Sequence, residues 1–303
     1  MRVKTYEAAV GRWYGILAEF GMDDRQLSGK HCECPLCGGK DRFRFDDKDG
    51  RGTFFCNGCG AGDGIKLAGL LTGLDFKELA KQIDGMVGNI DAVTPRPKKD
   101  PAVRLRKIHS ELHSIDGVTP VRRYLKSRGL TAPPQSIFYH PAMMNYVDGR
   151  PAGNHPAMVA IFRNSEGKPI TYHVTYLSDG GDKAAVESAR KILPPTEKMT
   201  GGAIRLFPAA ERMGVAEGIE TALAASELHD IPVWACATAG LLEAWIKPDV
   251  AREVVIFGDN DKSYTGQSAA YRLANRLALE GVSVSVEIPT VRGDWNDVLM
   301  GAA

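Results

Sequence analysis

The sequence predicts an α/β protein, α+β overall, in which a small cysteine-bearing β module precedes a mixed basic segment and a parallel α/β domain. Three observations carry this. Two CxxC pairs, Cys34 with Cys37 and Cys56 with Cys59, bracket eighteen residues that include the short aromatic runs 42–45 and 53–55. A stretch at 94–101 holds three prolines among charged residues and has few core residues, so it reads as a linker. Beyond Gly214, apolar strands at about 213–216, 233–237, 253–257 and 282–287 alternate with helical stretches at about 219–228, 240–246 and 266–280, the pattern of a parallel sheet covered by helices.

In chain order, apolar residues from Tyr6 to Phe20 recur at helical spacing, so a helix is expected over 5–20. The cysteine module follows, and a second helical stretch over 65–83 closes it. After the linker, one basic helix is expected at about 102–114, with Leu105, Ile108 and Leu112 on one face. Another begins at the cap-and-proline pair Thr119-Pro120 and stops at Gly129. Two β-rich runs within 157–177 flank Asn164-Ser-Glu-Gly-Lys168 and read as a hairpin. The expected domains are 1–86, a linker at 87–101, a basic core segment at 102–212 and an acidic α/β domain at 213–303.

Of 303 residues, 44% are hydrophobic and 25% charged, which fits a globular protein. No apolar stretch approaches the roughly 20 residues that span a bilayer, and the N-terminus lacks the apolar core of a secretory signal, so a cytoplasmic protein without a membrane partner is expected. The net charge of +1 hides a split: residues 98–130 carry nine Lys/Arg against three Asp/Glu, and residues 251–303 carry five against seven. Such a chain can hold a polyanion with one segment and cations with the other, although charge runs are also plain solvated faces.

Five of the six cysteines fall between Cys32 and Cys59. In a reducing compartment, two CxxC knuckles indicate metal rather than disulfides, and four thiolates satisfy tetrahedral zinc. Cys34, Cys37, Cys56 and Cys59 are therefore the expected ligands of one structural Zn²⁺, with His31 and Cys32 as neighbouring alternatives. A ribbon this small has little core, so its folding energy should come largely from the metal. Lys40, Arg42 and Arg44 are interleaved with Phe43, Phe45, Phe54 and Phe55, a mixture suited to phosphates and exposed bases; at least two of the phenylalanines are expected to form the ribbon's own core.

The run Cys34-Pro-Leu-Cys-Gly-Gly-Lys-Asp-Arg-Phe-Arg-Phe45, followed by Phe55-Cys-Asn-Gly-Cys-Gly-Ala-Gly-Asp-Gly64, closely resembles the zinc ribbon of primases from phages and other mobile elements. The resemblance covers about 31–72 and implies a module that selects the template site where a primer starts.

Three acidic clusters lie at expected strand ends: Glu217-Gly-Ile-Glu220, then Asp259-Asn-Asp261, then Asp294-Trp-Asn-Asp297. In an open α/β sheet such positions converge on the crevice beyond the carboxyl ends of the strands. Mg²⁺ or Mn²⁺ is the natural ligand, a hard cation that takes oxygen donors and retains substrate phosphates in its shell. The arrangement resembles the Toprim domain shared by DnaG-type primases, topoisomerases and certain nucleases, over about 213–300. The resemblance implies that Glu217 acts as general acid/base or metal ligand, that Asp259 and Asp261 bind metal, and that Asp294 or Asp297 completes the site. Glu220 is a second candidate that also complements a helix dipole.

The resemblance to mobile-element primases extends into the basic middle, where Arg122, Arg123, Arg190, Lys191, Lys198 and Arg205 are the expected contacts to template and incoming nucleotide. Gly201 and Gly202 offer either close backbone approach to phosphate or a plain loop. His140, His155 and His173 are read as structural or surface residues. The expected activity is a DNA-dependent RNA primase acting on single-stranded DNA and ribonucleoside triphosphates. A Toprim nuclease and a non-catalytic accessory factor remain as alternatives; a topoisomerase lacks an identifiable tyrosine-bearing gate. No Walker-type loop occurs, so either a separate replicative helicase is the expected partner or a longer parent chain has been trimmed.

Overall fold

Which residues end each helix and which face each strand buries determine the architecture. The computed structural model describes residues 5–92, 100–130, 136–147 and 150–301. Its contacts form two compact units, Met1–Lys98 and Lys99–Ala303.

In the first unit, the helix expected over 5–20 is two pieces, α1 (Thr5–Ala8) and α2 (Trp13–Glu19). Gly11 breaks it by adopting φ +76°, and its N–H bonds to the Gly50 carbonyl instead of continuing the helix. Strands β1 (Phe43–Phe45), β2 (Phe54–Cys56) and β3 (Gly60–Gly62) form an antiparallel ribbon in that order. The helical stretch expected over 65–83 is also divided, into α3 (Gly64–Thr72) and α4 (Phe76–Val87). Gly73 at φ +68° ends α3, and Asp75 restarts the chain by accepting the Glu78 N–H. Alternation along the ribbon sends Phe43, Phe45 and Phe54 into a core with Trp13, Ile16, Leu17, Leu67 and Ile83, while Phe55 faces solvent opposite Arg44. Gly64 is small because a Cβ there would stand 2.1 Å from the Trp13 ring.

In the second unit, α5 (Pro101–Ser110) and α6 (Pro120–Ser127) both carry proline in the first turn and are capped by Asp100 and Thr119. Then follow β4 (Ile137–Val147), β5 (Arg150–Arg163), β6 (Pro169–Tyr176), β7 (Arg190–Ile192) and β8 (Ala203–Ile204). The remaining elements are β9 (Arg212–Ala216), α7 (Ile219–His229), β10 (Val233–Ala235), α8 (Ala239–Glu243), β11 (Glu253–Phe257), α9 (Thr265–Leu279), β12 (Ser283–Glu287) and α10 (Trp295–Leu299). The hairpin expected within 157–177 is β5–β6, longer than anticipated at its start and joined by the unanticipated β4. Pro141, Pro151 and Gly153 mask the strand pattern there, and two register shifts in the β4–β5 pairing accommodate them.

These strands form one nine-stranded sheet in the order β12-β11-β9-β10-β8-β5-β6-β7, with β4 also paired to β5. The first four are mutually parallel; the rest join antiparallel. Strict alternation buries both faces. Val255 and Phe257 of β11 pack with Tyr124, Leu223 and Trp295 under α6, α7 and α10, while Val254 and Ile256 pack with Leu242, Leu273 and Leu277 under α8 and α9. Strand order reverses at β9, which has β10 on one side and β11 on the other. Gly201 and Gly202 prove to be buried packing positions: a Cβ at Gly202 would lie 2.3 Å from the Arg163 carbonyl oxygen.

His140 pairs with Glu111 at 3.1 Å, His155 packs edge-on to Tyr176, and His173 is buried in β6 with no partner for its Nδ1 among the described residues. Burial brings the His173 imidazole down to about 4, below its ordinary 6.5, against an opposing pull from Glu220. The folded chain therefore holds it neutral where the unfolded chain takes up a proton. Stability should fall as pH drops from about 6.5 towards about 4. The slope from this one group reaches about 1.4 kcal/mol per pH unit. Urea denaturation across that range should show a shallower pH dependence in His173→Gln than in the wild type.

Candidate active site and metal centre

The first CxxC sits in a turn closed by Gly38 N–H to Cys34 O at 2.9 Å, and the second begins at the end of β2. The four Sγ atoms of Cys34, Cys37, Cys56 and Cys59 all lie within 4.8 Å of one another, with Cys34–Cys59 and Cys37–Cys56 both at 3.8 Å. A tetrahedron with zinc–sulfur bonds of about 2.3 Å has edges of about 3.8 Å, so the thiols are spaced for zinc. A disulfide needs sulfurs about 2.05 Å apart. The N–H groups of Leu36, Gly58 and Cys59 point at Cys34 and Cys56 sulfurs, and the Gly39 N–H is the largest influence bringing the Cys37 thiol down to about 7. The donor set fits a structural zinc ion. His31 and Cys32 stand outside it: His31 faces the Asp41 carbonyl, and Cys32 is a buried core residue bridged to Phe43.

The acidic residues collect where β9 and β11 end, on either side of the reversal in strand order. Glu217 follows β9 directly. Its carboxyl is raised by burial, against the opposing Ala239 N–H at the head of α8. Asp259 follows β11 after Gly258 and accepts the Thr221 hydroxyl at 3.4 Å. Burial, then the charges of Asp294 and Glu217, push the Asp259 carboxyl up to about 7. The third cluster is stitched to the second by paired backbone bonds between Asn260 and Gly293, at 2.9 and 3.2 Å. Gly293 must be glycine: φ is +141°, and a Cβ would come within 2.4 Å of Asp297 Oδ2.

Asp261 and Asp297 are partly engaged by the backbone. Asp261 accepts the N–H groups of Gly266 at 3.0 Å and Thr265 at 3.2 Å together with the Ser263 hydroxyl, which hold its carboxyl below the ordinary range. Asp294 caps α10 through Asn296 and Asp297 N–H, and Asp297 Oδ2 turns back to the Asp294 N–H in a reciprocal box. Of this last pair, Asp294 is the one whose charge acts on Asp259.

The basic residues disperse. Arg190 binds Glu220 at 2.8 Å and bears on Glu217, so it belongs to the acidic site's rim. Lys191, one residue on, emerges on the opposite face of the sheet, where its Nζ donates to Asn145 Oδ1 at 2.7 Å and the Tyr146 carbonyl at 2.6 Å. Arg205 is committed to the β5–β6 turn through the Asn164 and Ser165 carbonyls, with its guanidinium 4.7 Å from the Trp234 ring centroid. Lys198, Arg122 and Arg123 are exposed; Arg123 also reaches the Asp179 carbonyl, and Arg122 and Arg123 line a groove on α6. In the ribbon, Lys40 and Arg42 are exposed. Arg42 lies across Gly39, and Arg44 pairs with Asp46 at 3.2 Å. Sequence reasoning missed Lys183, whose ammonium is lowered by burial and by Arg190 while Glu220 and Asp294 oppose the shift. Its surroundings, Asp179-Gly-Gly-Asp-Lys183, carry no signal beyond a loop.

Residues 212–303 match the family model of the Toprim domain, residues 29–65 that of the zinc-binding domain of primase-helicase, and residues 99–206 that of a domain of unknown function. Among solved structures, the zinc-binding and RNA polymerase domains of Aquifex aeolicus primase are similar at 15% identity and TM-score 0.47, covering 99% of this chain and 83% of that one. The primase fragment of the bacteriophage T7 primase-helicase is similar at 15% identity and TM-score 0.40, over 90% and 95%. A Pseudomonas aeruginosa DNA primase domain is similar at 15% and 0.46, over 66% and 74%. The class is a zinc ribbon coupled to a Toprim domain. The ribbon comes first in the chain and the Toprim domain last.

Two measurements follow from these geometries. Metal analysis should find one zinc ion per chain, lost in Cys37→Ser, and chelation should collapse ribbon NMR signals while leaving those of the second unit in place. In the second unit, Asp294→Asn should lower the Asp259 carboxyl from about 7 towards its ordinary 3.8, whereas Asp297→Asn should move it less, as read by carboxyl ¹³C titration.

Proposed function

We propose that the chain is a DNA-dependent RNA primase that makes short RNA primers on single-stranded DNA during replication of a phage or mobile element. The observation that carries this reading is the meeting of Glu217, Asp259 and, through the Asn260–Gly293 bridge, Asp294 at the adjacent ends of β9 and β11, in a chain that also bears the four-cysteine ribbon. Carboxylates crowded and desolvated in this way gain most from a divalent cation, and the donor set is all oxygen. Glu217, Asp259, Asp261 and Asp294 would hold Mg²⁺ or Mn²⁺, with Asp297 supporting Asp294 from the helix end. Such ions, when bound, activate the primer 3′-hydroxyl and neutralise the leaving pyrophosphate.

The protein's own part is positioning. Glu217 is half-buried and its carboxyl is raised, which suits a group that exchanges a proton near the reacting hydroxyl. Arg190, with Lys183 nearby, presents positive charge beside the carboxylates, where a triphosphate would lie. Arg122, Arg123 and Lys198 supply exposed charge for the template strand. In the ribbon, Arg44 and Phe55 stand directly across the β1–β2 pair, so a guanidinium and an exposed ring are available together for a phosphate and an unstacked base. Residues 102–212 would serve as the template-holding part and residues 213–303 as the metal-holding part, with a replicative helicase as a cytoplasmic partner.

The test is incubation with varied single-stranded DNA templates, labelled ribonucleoside triphosphates and Mg²⁺ or Mn²⁺. Short RNA products should form and should fall by roughly 100-fold or more in Asp259→Ala and Glu217→Gln. Metal-dependent cleavage of the DNA with no RNA product on any template would replace the primase by a nuclease.

A further inference from the structure

Glu220 lies in the first turn of α7, three residues beyond Glu217, yet it is only 4% exposed. Complementing a helix dipole does not require burial, and an unpaired buried carboxylate is costly. The Tyr124 hydroxyl and Arg190 Nη2, the latter at 2.8 Å, both donate to Glu220 Oε1. Burial pushes the Glu220 carboxyl up, but Arg190 and Tyr124 outweigh it, so the group is held ionised. Tyr124 comes from α6 and Arg190 from β7, so three separate elements meet at one carboxylate oxygen.

Arg190 is anchored at one end only. Its side chain is 46% exposed, and a guanidinium has five donors in a planar fork. Beside it stand Glu217 and Lys183, both of which feel its charge. An unanchored arginine at this rim would be drawn onto the metal-binding carboxylates. A buried anion behind it holds the guanidinium back and leaves its outer N–H groups free for a bidentate contact to phosphate.

We propose that Glu220 is a positioning residue, which with Tyr124 fixes the Arg190 guanidinium at the rim of the acidic site to receive the phosphates of the incoming nucleoside triphosphate. This rests on the primase reading above. The test measures Mn²⁺-dependent binding of a fluorescent ATP analogue and, separately, steady-state priming on single-stranded DNA. The proteins are the wild type, Glu220→Gln, Tyr124→Phe, Arg190→Gln and the double variant Glu220→Gln/Arg190→Gln.

Glu220→Gln should weaken binding and raise KM by about tenfold, the scale of a charged hydrogen bond. Its kcat should change little, as expected when binding common to ground and transition states is removed. In the Arg190→Gln background, Glu220→Gln should add nothing, and Tyr124→Phe alone should show a smaller loss in the same direction. Additive losses in the double variant, or a collapse of kcat at unchanged KM, would overturn the positioning role. If Glu220→Gln does not fold, an unchanged KM and binding constant in Tyr124→Phe would overturn it as well. A wild type that binds the ATP analogue without priming removes the primase reading alone, and the binding ratios then decide the Glu220 inference. A wild type that does not bind the analogue overturns both.

Discussion

Like charges repel, and a sheet can hold them together only if its backbone allows no retreat. The parallel strands β9 and β11 end side by side in register, with Phe257 opposite Ala216, so the residues that follow them emerge as neighbours. Glu217 and Asp259 are delivered there by main-chain geometry, and the Asn260–Gly293 bridge brings Asp294 to the same place. Burial first, and the mutual repulsion of the carboxylates after it, raise the carboxyls of Glu217 and Asp259. Within the second unit, Thr221 and the Ala239 N–H act on the carboxylates directly, and Gly266 and Gly293 leave out side chains that would crowd the acidic residues.

The ribbon solves a different problem. Its three strands are three residues each, and their core contribution amounts to Phe43, Phe45, Phe54 and the cysteines themselves. Trp13 of α2 supplies the missing bulk, pressed against Gly52 and Gly64, so the helices before and after the knuckles share a core with them. The thiols are oriented by backbone N–H groups as well as by neighbouring sulfurs, which is the outer support a metal-bound sulfur normally receives.

The parts legible in the sequence were those whose signals are local. CxxC spacing, the apolar face of Leu105, Ile108 and Leu112, the Thr119-Pro120 start, and apolar runs ending in acidic residues each fix their own neighbourhood, and they placed the ribbon, α5, α6, β9 and β11. Breaks that depend on one glycine adopting positive φ, at Gly11 and Gly73, left no periodic trace. Strand β4 was hidden by Pro141 and by its dependence on β5 for pairing. At the site, a carboxylate at a strand end can be read directly, whereas the destination of a long basic side chain cannot. Lys191 and Arg190 are adjacent in sequence and end on opposite faces of the sheet. Arg205 is claimed by a turn 40 residues upstream, and Glu220 finds Tyr124 at a separation of 96.

The junction at β8 has a consequence for how the second unit is put together. Two residues, Ala203 and Ile204, connect the parallel strands to the antiparallel ones, and both are almost completely buried. A fragment beginning at β9 would leave the open edge of β10 as an unpaired row of amides and carbonyls next to apolar side chains, a template for strand addition by another chain. The acidic half therefore has the composition of a domain without its independence. Recombination that exchanged it alone would have to bring a new neighbour for β10, the place that β8 fills in this chain.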